Sequence, residues 1–566
     1  MPFGHAVGKN KMGGKRQKLF RKTDTLLSME TGTVFKKPGG KLNICLVYPN
    51  TYHVGMSNLG FQGVYGLLNG MPDVLCERAF LPDPGDLEDY IKGGEELFSL
   101  ESKRPLNRFD MVAFSVSFEN DYPHIPQILE LAGIPPLAAL RGPREPLLLL
   151  GGVAAFSNPE PLADFFDAVF IGEAEALLPP FLQEVRKNLS SAVGRRDFLE
   201  KIASVPGVYV PSLYEISYQP GQPGGQITGR KPAESGAPVP VKKQVSMDFF
   251  GMRHTISTPD TEFSSMRLIE LMRGCPWSCS FCLAGQVYNP PRWRPPEDIK
   301  KEIREALSAG RRVGLIGPSV SDYPGLSELL RIEGVDFSIT SLRAGEKSIG
   351  LLPYLTGHKS LSIAAEAGTP RLRRLINKKI TGKEILETSR AILEAGMNLR
   401  VYFITGLPTE RDEDVDALID LVGKIRSSQA SGKITLTVST FVPKPFTCFQ
   451  WHPMENPEVV KKRLGRIKKE LNAMKGVSVF HDVPKYALMQ GVFAMGDRRL
   501  SSVLLAMARE KIDYKTALRG EGLSEEFYIF RQKGAGEILP WDFIDAGVSK
   551  EALRARYEKA ISEARE

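Results

Sequence analysis

Short apolar runs alternate with amphipathic stretches over two separate parts of the chain. In the first part, LNICLVYP (42–49) reads as a buried strand, followed by a turn and the amphipathic NLGFQGVYGLLN (58–69). DMVAFSV (110–116), PLLLLGG (146–152) and DAVFIGE (167–173) predict further strands, with helical spacing near 123–132 and 175–188. Apolar runs this short, separated by helices, point to a parallel sheet covered on both faces. Residues 41–190 are therefore expected to form a Rossmann-like α/β unit, which binds ligands beyond the carboxyl ends of its strands. Those ends carry PNTYHVG, SFEND, GGVAAFSNPEP and GEAE.

Between 191 and 262 the pattern breaks. YQPGQPGGQITGRKPAESGAPVPVKK (218–243) is rich in Pro and Gly and reads as a linker or an extended wrapping segment. The alternation resumes at RLIELM (267–272) and continues through RVGLIG (312–317), VDFSIT (335–340), SLSIAA (360–365), RVYFITG (400–406) and KITLTVSTFV (433–442). Six strand–helix repeats over 263–482 predict a complete or partial parallel barrel, a fold that sets its chemistry at the C-terminal strand ends. Residues 483–566 read as a helical region packing on that barrel.

A chain of 566 residues needs several cores. It has no apolar run long enough for a bilayer and no signal-peptide core at its start, so the expected location is the cytoplasm. The formal charge of +8 includes seven cations within residues 1–22, namely Lys9, Lys11, Lys15, Arg16, Lys18, Arg21 and Lys22, with no acidic residue among them. Only +1 is left for the other 544 residues. Residues 1–40 are read as a basic flexible tail able to touch RNA or an acidic partner, and nothing else in the charge indicates nucleic acid.

Three of the six cysteines lie in MRGCPWSCSFCLAG (272–285): Cys275, Cys279 and Cys282, spaced C-x3-C-x2-C just after the first barrel strand. Cys45 and Cys76 sit in strand-like surroundings and Cys448 is isolated, so these three read as buried hydrophobes. Structural zinc wants four ligands, usually as two pairs, and His254, the nearest histidine, is twenty-one residues upstream. A disulfide is unexpected in a cytosolic chain. Thiolates are the usual ligands of iron–sulfur clusters. Three thiolates on a four-iron cubane leave one iron open, as a catalytic metal keeps an open position.

The loop RGCPWSCSFCLAG, with Phe281 before the third cysteine, resembles the signature of the radical S-adenosylmethionine (SAM) enzymes. The N-terminal unit, with YHVGMSNLG and GGVAAFSNPEPLADFFDAVFIGEAE, resembles the cobalamin-binding-type domain fused ahead of many such barrels. The resemblance implies that Cys275, Cys279 and Cys282 hold a [4Fe–4S] cluster whose open iron chelates SAM, and that an electron donor such as flavodoxin or ferredoxin feeds it. It also makes Phe281, Gly317, Ser341, Arg343, Glu366 and Gly406 candidates for contacting SAM at the strand ends. LIGPS (315–319) stands where relatives have a glycine-rich contact with the SAM amino group, here without an acidic residue in the run. Arg343 and Glu366 have a second reading, as an internal ion pair.

Cobalamin remains an open expectation. The D-x-H-x-x-G pattern that supplies a cobalt-ligating histidine is not met at His53, where Thr51 stands in place of Asp and Gly55 comes one position early. The resemblance implies reductive SAM cleavage, with methyl transfer if cobalamin is bound. Two alternatives stand beside it: cobalamin-free radical modification of RNA, protein or a small molecule, and a non-enzymatic iron–sulfur protein for electron transfer or redox sensing. The substrate is not written in the sequence.

Overall fold

The computed structural model describes residues 6–565 apart from 190–193, 221–223, 233–236, 250, 340, 356 and 430. The N-terminal unit is a six-stranded sheet of β1 (Leu42–Tyr48), β2 (Val74–Phe80), β3 (Met111–Ser115), β4 (Leu147–Gly151), β5 (Ala168–Phe170) and β6 (Val208–Tyr209). Their order is β2-β1-β3-β4-β5-β6, with the first five parallel and β6 antiparallel to β5. The direction of winding reverses between β1 and β3, which opens a crevice beyond their carboxyl ends.

Strand β2 was not legible from hydrophobicity, because VLCERAF carries two charges yet all seven residues are buried. A charge is tolerated there only when fully paired. Arg78 donates from Nε to Glu101 at 2.7 Å and from Nη1 and Nη2 to Glu30 at 2.7 Å each. Glu77 accepts from the hydroxyls of Ser99 and Ser102, both at 2.6 Å.

The expected basic tail is instead, from Ala6 to Ser28, a helix. It lies along the acidic helix Pro84–Gly93, where Lys18 pairs with Asp89 and Lys22 with Asp83, each at 2.6 Å. Exposed pairs of this kind add little individually. The helix is fixed by Leu19, buried in the core, and by the chain that follows it into the Glu30–Arg78 pair. Three of its cations, Arg16, Lys18 and Lys22, are paired with the protein's own carboxylates.

The segment expected as a linker opens with a helix, Arg195–Ala203, then β6 and an antiparallel hairpin of Tyr214–Tyr218 with Ile227–Pro232. The remainder wraps: Val241–Lys242 pairs with Ile544–Asp545, Gln244 bridges to Gly172 and Arg253 to Ile269.

The second unit contains all six expected strands: β7 (Arg267–Glu270), β8 (Val313–Ile316), β9 (Phe337–Ile339), β10 (Ser360–Glu366), β11 (Asn398–Thr405) and β12 (Ile434–Thr440). A seventh, β13 (Val477–His481), adds parallel to β12. Strands β7–β9 and β10–β13 form two parallel sheets joined by a bridge between Leu342 and Ile363, giving an open barrel. Leu399, Val401, Phe403, Leu436, Val438, Val477 and Val479 share one core with helix residues such as Ile392, Ile425 and Ile467. The alternate residues of these strands face the barrel's interior.

The C-terminal helices pack chiefly on the N-terminal sheet unit, not on the barrel. Phe493 stacks on Tyr122 at 5.9 Å, and Asn158 donates to the carbonyls of Ala494 and Gly496. The helix Pro484–Met495 touches the barrel helix Pro457–Asn472, and the last helix, Lys550–Arg565, reaches the barrel against Pro370–Leu375 and Cys448–Trp451. The tie to the sheet is Glu160, fully buried, which accepts from Tyr209 Oη at 2.6 Å and Arg230 Nη1 at 3.0 Å and pairs with Arg498. These cations overcome the cost of burial and hold the Glu160 carboxyl down at about 2. Removing one member of such a buried network leaves the others uncompensated. Glu160→Gln is expected to cost about 3–5 kcal/mol in urea unfolding; an unchanged midpoint would show that the network does not hold the C-terminal region.

Candidate functional site

The carboxyl edges of the two sheets face each other, and a buried ionic seam joins them. Arg273, just beyond β7, pairs with Glu270 at 2.8 Å, Glu175 at 2.9 Å and Glu173 at 3.3 Å. Arg292 pairs with Glu173 at 2.5 Å, and both guanidiniums lie over the ring of Phe249. Glu173 and Glu175 come from the sheet unit and the other members from the barrel or the wrapping segment. Arg273 is well above its ordinary pKa because these carboxylates outweigh its burial.

Cys275 follows Arg273 by two residues, so the seam fixes the stem of the cysteine loop. A two-residue antiparallel ladder, Met272–Arg273 with Arg292–Trp293, closes the base. Further hydrogen bonds tie the loop to the barrel: Ser280 N donates to Ile376 O at 2.9 Å, and Asn377 Nδ2 donates to Ser278 O at 2.8 Å. Arg556, from the last helix, donates to the same Ser278 carbonyl at 3.0 Å. All three thiols are free; Cys279 is buried and the other two partly exposed. Burial pushes the Cys279 thiol up to about 11, opposed by the charges of Lys378 and Arg343.

Among the described residues no three His, Cys, Asp or Glu side chains stand close enough to hold a single metal ion. A four-iron cluster spreads its thiolates further apart than one ion does, and this donor set suits it: three unpaired thiols beside two cations, with no fourth ligand. The charges of Lys378 and Arg343 favour the thiolate form of Cys279.

Around the loop the structure brings several strand-end residues together. Trp277 donates from Nε1 to Asp322 at 2.5 Å, and the Arg343 guanidinium stacks on the Trp277 ring at 3.6 Å. Arg343 does not pair with Glu366. It donates to Lys379 O at 2.6 Å, while Glu366 pairs with Lys378 at 2.9 Å. Glu366 has φ of +64°, an uncommon strained conformation for a non-glycine residue, at the carboxyl end of β10. Gly317, at the end of β8, runs so close to Met272 that a Cβ would come within 2.8 Å of its Cγ. Gly406, with φ of +78°, ends β11, and its N–H donates to Glu410 at 2.6 Å. Ser341 is exposed beyond β9, and Phe281 packs against the core that the sheet unit shares with the C-terminal helices. Sequence reasoning missed Asp322, which supplies the acidic side chain six residues beyond β8, as well as Lys378 and the Arg273 seam.

A cavity of about 490 Å³ lies on one face of the N-terminal sheet and opens toward the seam. Ile44, Leu46 and Leu149 from the strands and Val64, Leu178 and Leu182 from the covering helices form its apolar depth. Asn58, Ser117, Glu173, Arg273 and Gly317 stand toward its mouth. Gly152, at φ of +101°, lets the backbone there pass Val116, whose carbonyl oxygen would lie 2.3 Å from an added Cβ. His53 takes no part: its ring nitrogens face Asp260 at 2.8 Å and Glu262 at 3.4 Å on the surface.

Comparison with known proteins agrees with this architecture. Residues 60–211 match the family described as radical SAM proteins, N-terminal, and residues 269–422 match the radical SAM superfamily. The chain belongs to the radical SAM superfamily and carries its N-terminal and barrel domains. An uncharacterised protein of Methanocaldococcus jannaschii is 28% identical, over 82% of this chain and 90% of its own length. A tRNA-2-methylthio-N(6)-dimethylallyladenosine synthase of Sorangium cellulosum is 26% identical over 42% of this chain and 54% of its own. This chain thus spans about half the length of that characterised relative. Among solved structures, the radical SAM methyltransferase TsrM of Kitasatospora setae, with cobalamin and a [4Fe–4S] cluster bound, aligns over 70% of this chain and 72% of its own, at 13% identity and a TM-score of 0.45. Among the described residues no helix is long and apolar enough to cross a membrane.

Because the buried Arg273 pairs with the buried Glu173 and the half-buried Glu175 and Glu270, Arg273→Met is expected to lower stability by about 3–5 kcal/mol in urea unfolding. Loss confined to the range of a surface pair, below about 1 kcal/mol, would show that the seam is not what joins the sheets.

Proposed function

We propose that the protein is an enzyme that cleaves SAM reductively at a [4Fe–4S] cluster held by Cys275, Cys279 and Cys282. The observation that carries this reading is the set of three free thiols on one braced loop at the carboxyl end of the first barrel strand, beside Arg343 and Lys378. When bound, the cluster supplies the electron that breaks the sulfonium bond of SAM, and cobalamin would supply a carrier for a methyl group.

The chain's own part is positioning. Lys378 balances thiolate charge and holds Glu366, whose free lone pairs face the strand end where ribose hydroxyls would be bound. Arg343, stacked flat on Trp277, offers its remaining N–H groups to a carboxylate. Gly317 and Gly406 stand at strand ends where a ligand would approach, with the space a Cβ would need taken by the Met272 side chain beside Gly317 and by Glu455 beside Gly406. Phe281 braces the loop from behind, and Ser341, exposed, is the weakest of the proposed contacts.

Cobalamin-dependent methyl transfer is favoured over direct radical modification by the cavity beside the seam. It is apolar within and polar at the mouth, and it opens toward the cysteine loop, as a cofactor passing a group to the barrel requires. His53 supplies no cobalt ligand in this reading.

A protein with Cys275, Cys279 and Cys282 all changed to alanine is expected to lose its iron and sulfide and to form no 5′-deoxyadenosine from SAM under dithionite; a full four-iron cluster in that variant refutes the ligand assignment. Leu149→Trp fills the cavity and is expected to abolish corrinoid binding on purification from cobalamin-fed cells, with the iron content unchanged. Corrinoid retained at wild-type level in Leu149→Trp would rule out this cavity as the cobalamin site.

A further inference from the structure

An open crevice of about 690 Å³ lies between the last helix, Lys550–Arg565, and residues 532–535, with Gln532, Lys533, Arg554, Tyr557 and Ile561 in its walls. Trp451 stands against it. The centre of its ring is 5.5 Å from the Arg554 guanidinium and 6.0 Å from the centre of the Tyr557 ring.

The buried polar atoms left without a partner at this place are donors. Trp451 is fully buried, and its Nε1–H has no hydrogen-bond partner among the described residues. Trp541, by contrast, donates to Gln450 at 2.8 Å and Trp277 to Asp322 at 2.5 Å, as a buried indole usually does. Nη1 of Arg554 is likewise buried and unpartnered among the described residues. Lys533 is 3% exposed, and among the described residues its Nζ donates to Tyr528 O alone, at 2.7 Å, which leaves its other N–H groups unused.

Charge decides what can answer these donors. The neighbouring carboxylates are committed elsewhere: Glu537 to Arg531, Asp542 to Lys550 and Glu558 to Arg554. Lys533 is a buried lysine with no carboxylate pair among the described residues, a rare and costly state. Burial, with Arg531 adding to it, lowers its ammonium to about 7. Water meets the indole N–H, but a neutral molecule leaves the lysine charge uncompensated. An anion answers all three groups, with Lys533 as a point charge and Arg554 offering the unused edge of its fork.

We propose that the crevice between Lys550–Arg565 and residues 532–535 binds the phosphoryl group of a small molecule, with Lys533, Arg554 and Trp451 as its donors. Donors from three separate segments suit a tetrahedral group with several oxygens better than the two coplanar oxygens of a carboxylate. Tyr557 and Ile561 give the crevice an apolar wall for the organic part of an ester. The ligand would tie the last helix to the segment Cys448–Trp451. Arg556 of that helix holds the Ser278 carbonyl, and Cys448 lies beside Ser280, so the site bears on the cysteine loop from outside the barrel mouth.

The test is isothermal titration calorimetry of the full-length protein with inorganic phosphate, glycerol 3-phosphate and acetate. It is done without SAM, so its outcome is separate from that of the SAM-cleavage assay. Wild-type protein is expected to bind phosphate more tightly than acetate. Tighter binding still of glycerol 3-phosphate assigns the site to a phosphate ester, and anything less assigns it to the free ion. Lys533→Met, which keeps the side-chain bulk, is expected to weaken binding at least about tenfold. Arg554→Gln, at a partly exposed site that does not endanger the fold, is expected to do the same. The proposal is overturned if wild-type protein binds neither phosphate nor its ester, if acetate binds as tightly, or if either variant keeps wild-type affinity.

Discussion

Everything near the cysteine loop depends on one arrangement of charge, the pairing of Arg273 and Arg292 with Glu173, Glu175 and Glu270. Two parallel sheets meeting by their carboxyl edges bring strand-end carbonyls and acidic side chains together, an arrangement that repels unless cations are interposed. Two arginines stacked on Phe249 provide them, their planar forks serving several carboxylates at once. The result fixes the separation of the sheets, leaves a cavity on one side of the seam and sets the stem of the Cys275 loop on the other. Fold and site are therefore the same constraint seen from two sides.

A second buried network sets the position of the C-terminal region. Glu160 gathers Tyr209, Arg230 and Arg498 from three separate segments, and Arg230 also lies 3.8 Å over the ring of Phe543. A single acid thus joins the sheet, the hairpin and the C-terminal helices. That is why the helical region, although it follows the barrel in sequence, shares its core with the N-terminal unit. Its last helix then returns to the barrel, where Arg556 holds the Ser278 carbonyl beside Cys279. The cysteine loop is braced from both ends of the chain.

What the sequence made legible follows the same physics. Strands with uninterrupted apolar runs, such as Leu147–Gly151, were readable because burial on both faces leaves no other composition. Val74–Phe80 was not, since its Glu77 and Arg78 are buried by partners that lie at Ser99, Glu101 and Glu30 and carry no local signal. The helix Ala6–Ser28 was hidden for a related reason: its cations read as a free tail until the acidic helix Pro84–Gly93 is brought alongside. The cysteines announced themselves by spacing alone, whereas Asp322 and Lys378, which stand around them, are drawn in by the fold from separate strand ends.

Net charge misled in one further way that bears on substrate. A formal +8, reduced to +1 once the first 22 residues are set aside, suggests a surface indifferent to polyanions. The folded chain undoes both halves of that sum. Three of the N-terminal cations, Arg16, Lys18 and Lys22, are matched by Glu95, Asp89, Asp83 and Asp86. A local excess lies instead at 457–485, where eight cations stand against three acids, with Arg463 and Arg466 paired and most of the lysines exposed. Electrostatic attraction acts over about a Debye length, ~8–10 Å at physiological salt, so a partner responds to this local excess rather than to the total. Where the charge lies, and not how much the chain carries, decides which molecule can approach the site.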